Sequence, residues 1–252
     1  MRTTAKKRIN TARYKYVFCI IANRKNYSFV MNDREKKEIY SIHYKDISAV
    51  VADAWSEKYE ILDDGMVHEK VVETASKHFP VIPMGFGQAS TEEDIKAFLM
   101  KNYAAIKKLF RNLKGKTELG VNVSLNEKKL IEDIYNENEK IRIFSAGIKD
   151  QNDKLNHNIK IKIGRIVSEE FDKKGNKIAE DFYRSLKNIA DSDIKCRSIN
   201  KLMVLNSAFL VENDKIPEFD RVLSDMENKY GDAVNIRYII SPPYNFSNLR
   251  VS

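Results

Sequence analysis

A chain of 252 residues with 42% hydrophobic and 32% charged residues holds enough apolar material for two cores of ordinary size under a heavily solvated exterior. Such a composition excludes disorder over the whole length. The longest apolar run, VFCIIA at 17–22, is far short of the roughly 20 residues of a membrane span, so no membrane is expected as a partner.

The first residues are basic but lack an apolar stretch ahead of a cleavage site, so no secretory signal is read and a cytoplasmic location is expected. The formal charge of +8 is uneven. Arg2, Lys6, Lys7, Arg8, Arg13 and Lys15 meet no acid before Asp33, which makes 1–13 a basic arm. Its plain reading is an unstructured, solvated tail, and the alternative is contact with nucleic acid. No aromatic interleaves with those cations before Tyr14, so base stacking has no support and nucleic acid is not the expected partner.

YKYVFCIIA at 14–22 is aromatic and β-branched, with apolar side chains on both faces, as in a central strand covered on two sides. EIYSIHY at 38–44 and ISAVVA at 47–52, separated by Lys45 and Asp46, predict a hairpin. From Met66 to Phe79 the period changes, and His68, Val71, Val72, Ala75 and Phe79 share one helical face, until Pro80 and Pro83 close the helix and bracket a short extended piece. A second helix begins after Ser90 and Thr91, with acids at 92–94 against its first turn, an apolar stripe from Ile95 to Leu113, and Gly115 as its cap. Gly115 marks the domain boundary.

Beyond it ELGVNVSL at 118–125 alternates, Leu119, Val121, Val123 and Leu125 on one face and polar or small residues on the other. Residues 127–190 are mostly helical in period, with interruptions expected at 145–158 and at the DKKGN run of 172–176. Extended structure returns at 194–199 and 202–212. A helix with Pro217 in its first turn and Gly231 at its end precedes a last strand at 233–240. The fold class predicted is therefore α+β in two domains. Residues 14–114 form a mixed α+β sheet domain, and 115–252 form a ferredoxin-like βαββαβ domain with an extended helical insertion at 127–190.

Chemistry is hard to assemble from these residues. His43, His68, His78 and His157 lack the i, i+4 spacing that sets two imidazoles on one metal, and Cys19 and Cys196 form no C-x-x-C pair. There is no phosphate-cradling glycine motif and no G-x-S-x-G elbow. No catalytic, cofactor-binding or metal-binding residue is assigned. The strands 118–125 and 202–212 also lack the paired aromatics of RNA-binding sheets.

What stands out is IRYIISPPYNF at 236–246, where Pro242 and Pro243 must stop a strand and deliver Tyr244 and Phe246 on a short rigid extension. Those aromatics either fill a gap in their own fold or face a partner. Together with HEKVVE at 68–73, VIPMGFG at 81–87, GKTEL at 115–119 and AFLV at 208–211, and in this order, the segment resembles the F/L family of gas-vesicle accessory proteins over most of the chain. The family's histidine-led helix matches His68 to Glu73, its L-P-x-R-F-G segment matches Ile82 to Gly87, and its terminal P-P-Y-x-F matches Pro242 to Phe246. Gly85 replaces the usual arginine, and Ser241 stands where tryptophan-containing sequence precedes the prolines, so roles tied to those residues do not transfer.

The resemblance implies a two-domain, non-enzymatic assembly factor without cofactor. Its implied partners are the small apolar gas vesicle shell protein and other gas-vesicle accessory proteins. It would limit shell-protein aggregation and assist nucleation in the cytoplasm, in some members remaining as a minor vesicle component. The residues expected to meet the partner are Pro83, Phe86, Gly87, Pro242, Pro243, Tyr244 and Phe246.

Overall fold

The computed structural model describes residues 14–31, 36–54, 59–60, 63–146, 148, 153–247 and 249. The basic arm expected over 1–13 lies outside them. The chain divides into two compact units, one running up to Glu118 and resuming at Ser241, the other Leu119–Ile240. This division differs from the expected 14–114 and 115–252 in giving the C-terminal stretch to the first unit.

The first unit is built on a sheet of β1 (Tyr14–Ile21), β2 (Ser28–Met31), β3 (Lys37–Tyr44), β4 (Ile47–Asp53), β5 (Val81–Pro83) and β6 (Ala89–Thr91). The order is β2-β3-β4-β1-β5, and β6 also pairs with β1. The expected β3–β4 hairpin closes on Lys45, held at φ 55. β1 is central, as its sequence implies. β5 pairs with Cys19–Ile21 and β6 with Tyr14–Tyr16, so they are two parts of one border, separated by the Met84–Gln88 loop. The backbone stitches that loop at its two ends, Met84 donating to the Phe18 carbonyl and Val17 to that of Gln88. Opposite the loop, the β1–β4 register slips between Val17 and Cys19, a β-bulge that re-aims the strand.

One face of this sheet packs Tyr16, Phe18, Ile21, Ile39 and Val50 on α1 (Asp63–Ser76) through Val71, Val72 and Ala75. The other packs Val17, Ile20, Ile42 and Ile47 on α2 (Glu92–Lys101) and α3 (Tyr103–Leu113) through Ile95, Leu99, Ile106 and Phe110. The sequence predicts one helix where there are two. The two meet at Asn102, whose backbone turns to φ −99 and ψ 7 and whose side-chain amide adds a donor to the Phe98 carbonyl, which already accepts the Asn102 backbone N–H. Thr91 caps α2, accepting from the Asp94 amide.

The second unit runs β7 (Lys116–Leu125), α4 (Glu127–Glu137), α5 (Glu139–Ala146), α6 (Asp153–Lys187), β8 (Ser192–Lys195), β9 (Met203–Glu212), α7 (Ile216–Tyr230) and β10 (Val234–Ser241). Its sheet order is β10-β7-β9-β8. Leu119, Val121 and Val123 of β7 meet Phe182 and Leu186 of α6, Phe209 and Val211 of β9, and Phe219 and Leu223 of α7 in one core. The interruption expected at 172–176 does not occur, since α6 runs through it. Gly175 is there for closeness rather than flexibility: a Cβ on it would stand 3.0 Å from Leu125 Cδ1 and 3.4 Å from Val204 Cγ1.

Candidate interaction surface of the first unit

The Met84–Gln88 loop is tied to the sheet by one side chain. Tyr16, fully buried on β1, accepts a hydrogen bond from the Gly87 amide at 3.0 Å and shares a second one with His68 Nδ1 on α1 at 2.9 Å. Strand, helix and loop thus converge on one oxygen. Gly87 sits at φ +80, a conformation that favours glycine, and that turn aims its amide at the hydroxyl. Burial pushes the Tyr16 hydroxyl up to about 12 and the His68 imidazole down to about 4, so both are neutral at neutral pH. The Met84 backbone opposes the shift of His68 in part, although among the described residues the buried Nε2 has no partner at hydrogen-bonding distance.

Aromatic rings gather around this junction. Phe18 and Tyr59 each lie 4.7 Å from the Tyr16 ring, Phe86 lies 6.5 Å from it, and His68 lies 6.1 Å from Phe86 and 6.2 Å from Tyr244. Most of the group is enclosed, but Phe86 keeps 38% of its surface exposed. It reaches to 4.0 Å from the Cβ position of Gly65, beside Met66, which is exposed as well. Phe86 and Met66 therefore offer apolar surface at the start of α1.

The C-terminal segment is the last component. β10 stops at Ser241, and Pro242 and Pro243 open a tight turn in which Tyr244 donates to the Pro242 carbonyl at 2.7 Å and Phe246 to that of Pro243 at 3.3 Å. Glu118, 3% exposed, grips this turn, Oε2 accepting from the Asn245 amide at 2.9 Å and Oε1 from its side-chain Nδ2 at 2.6 Å. Ser247 donates to the Pro83 carbonyl at 3.1 Å. A cleft of about 540 Å³ remains alongside, lined by Pro83, Met84, Gly85, Gln88, Tyr244, Ser247 and Leu249.

Of the residues expected from sequence, Pro83, Phe86, Gly87 and Tyr244 come together here. Pro242 and Pro243 form the turn that carries Tyr244, and Phe246 lies half-buried on that turn. Tyr16 and Glu118 were not expected. Tyr16 is one aromatic among several on an apolar strand, and the alternation of β7 puts Glu118 on its polar side. His68 was legible as a residue of the buried helix face. Among the described residues no group of His, Cys, Asp and Glu could hold a metal ion, and no helix is long and apolar enough to cross a membrane. Cys19 is buried, which pushes its thiol far up and leaves it unreactive.

Residues 14–248 match the family described as gas vesicle synthesis protein GvpL/GvpF. The chain belongs to the GvpL/GvpF family. Relatives include gas vesicle protein F of Microcystis aeruginosa, 24% identical across 87% of this chain and 92% of that protein. Gas vesicle protein F1 of Halobacterium salinarum is also 24% identical, across 85% of this chain and 84% of its own. In fold the chain is similar to the crystal structure of gas vesicle protein GvpF from Anabaena sp. PCC7120, at a TM-score of 0.77 and 22% identity, covering 94% of this chain and 99% of that one. The GvpF structure from Microcystis aeruginosa gives 0.70 at 22% identity, over 94% and 100%. A mixed α+β fold and a role connected with gas vesicles are thereby set for this GvpL/GvpF member.

Proposed function

We propose that this chain is a non-enzymatic assembly factor that binds the small apolar gas vesicle shell protein in the cytoplasm, limits its aggregation and assists nucleation of the vesicle, alongside other gas-vesicle accessory proteins. The observation that carries the reading is the GvpL/GvpF match, which takes in both units. A shell protein that must be apolar toward gas bears surface that self-associates before assembly, and a partner needs apolar surface of its own within a charged, soluble remainder. The exposed Phe86, on a loop fixed by Tyr16, supports placing that contact at Pro83, Phe86 and Gly87 with the neighbouring Pro242, Pro243, Tyr244 and Phe246. The element order and sheet order of the second unit support a ferredoxin-like reading, α4 to α6 being the helical insertion.

The test is Phe86→Ala. Phe86 is partly exposed and holds no hydrogen bond of the junction, so the variant is expected to stay folded with a modestly lower thermal midpoint, the cost of its ring contacts. It is expected to bind purified shell protein roughly tenfold more weakly, the loss typical of an aromatic contact in an interface. A folded variant that binds normally takes the loop out of the contact. Wild-type chain that ignores shell protein altogether overturns the function proposed.

A further inference from the structure

The C-terminal turn is seated on the first unit in an unusual way. Its anchor, Glu118, is a buried carboxyl whose hydrogen bonds come from the turn itself, the two from Asn245 and a longer one from Ser241 Oγ at 3.4 Å. No cation pairs with it among the described residues. Burial pushes this carboxyl up, an effect that the Asn245 donors offset only in part. Tyr244 brings its ring to His68, but among the described residues its buried hydroxyl has no hydrogen-bond partner, and neither has His68 Nε2 beside it. A segment that completes a core permanently is expected to satisfy the polar groups it buries. Here seating desolvates a carboxyl, a phenol and an imidazole nitrogen, and leaves a cleft open along one side. Undocking would return all three polar groups to water and uncover the aromatic seat.

From this we infer that residues 241–247 are a releasable strap, a stand-in that fills the seat beside His68 until a partner segment of the same chemistry, an aromatic side chain followed by N–H donors, takes its place on Glu118. The inference rests on the shell-protein reading only for the identity of that partner. The strap itself supplies the recognition pattern: a ring for the pocket beside His68, a backbone amide and a carboxamide for the two Glu118 oxygens, and a hydroxyl for the Pro83 carbonyl. Phe86, already exposed at the rim, extends the same apolar surface once Tyr244 leaves. The strap thus keeps the larger part of a sticky surface covered in the free protein, where open aromatic surface would invite self-association.

Hydrogen exchange on the full-length chain tests release. Amides of 244–247 are expected to exchange by local opening, faster than those of β1, and about tenfold faster again in Asn245→Ala, the effect of losing roughly one hydrogen bond. β1 should keep its protection in both. Strap amides that exchange only together with β1 overturn the inference. A fluorescent peptide of residues 241–247 tests exchange of occupants. It is expected to bind the full-length double variant Tyr244→Ala with Asn245→Ala at least about tenfold more tightly than wild type, whose own strap competes. Equal binding to both, or none to the double variant, overturns the inference. Shell protein that displaces the peptide supports the strap and its partner together. If peptide exchange proceeds as expected but shell protein binds neither chain, the strap stands and the proposed function falls.

Discussion

Tyr16 and His68 lie 52 positions apart yet hydrogen-bond in the core, and burial there sets how the imidazole titrates. In the unfolded chain the imidazole takes up a proton below its ordinary pKa of 6.5, whereas the folded unit lets His68 do so only near 4. Between those values the unfolded state binds more protons than the folded one. The contribution of His68 is therefore complete above pH 6.5 and is lost as the pH falls toward 4. The size, taken from the separation of the two values, is on the order of 3 kcal/mol. Replacing His68 with Gln keeps an acceptor for the Tyr16 hydroxyl but removes the titration. Its urea midpoint is expected to fall clearly less than that of wild type between pH 7 and pH 4.5, and parallel losses would show that other groups carry the acid sensitivity. The buried face of His68 is legible in the helical period of 66–79, but its partner is not, because nothing local distinguishes Tyr16 from Tyr14 or Phe18. Glu118 is hidden for a related reason. The strand alternation is correct, and the buried carboxyl is bonded by a segment more than a hundred positions later that folds back onto it.

Elements with a strong period and clear punctuation were readable: β1, the β3–β4 hairpin, α1, β7, β9, α7 with Pro217 and Gly231, and the stop of β10 before Pro242. The short border strands β2 and β6 were not. They have too few residues to show a period, and their place is decided by β1 and β3, which they border. The two errors inside helices have opposite causes. Asn102 looks harmless in a helical stripe, yet its side chain bonds the backbone one turn back and its own backbone leaves helical geometry. Asp172 to Asn176 looks like a turn, yet α6 passes through it because packing on β7 and β9 outweighs the weak local preference of Gly175 and its neighbours. That explanation is testable at Gly175. Alanine would gain helix propensity while pressing on the flexible end of Leu125, two opposing effects. Leucine would press harder still on Leu125 and Val204, and Gly175→Leu is expected to destabilise the chain by about 1–3 kcal/mol, the usual range for overpacking. The denaturant midpoint should fall with an unchanged slope. A midpoint equal to wild type would mean that α6 does not need its close approach to the sheet.

At the scale of the whole molecule, 44 basic and 36 acidic side chains make a surface dominated by charge, and the question is whether that charge attracts the partner or only keeps the protein in solution. The ion pairs favour the second role. Many are i, i+4 neighbours on helix surfaces, such as Lys96 with Glu92, Arg165 with Glu169 and Arg184 with Glu180, arrangements that contribute little and are screened by salt. The candidate contact, by comparison, is built of Phe86, Tyr244 and prolines around a neutral histidine. Apolar association is insensitive to screening and is strengthened by salts excluded from protein surfaces, whereas attraction between a basic protein and a polyanion weakens steeply with salt. Under the function proposed, affinity for shell protein should hold or rise when sodium sulfate is raised from about 50 to about 500 mM, and deleting residues 1–13 should leave that trend unchanged. A fall of tenfold or more over the same range, abolished by the deletion, would identify the basic arm rather than the aromatic seat as the source of binding, and would turn the search for a partner toward acidic surfaces.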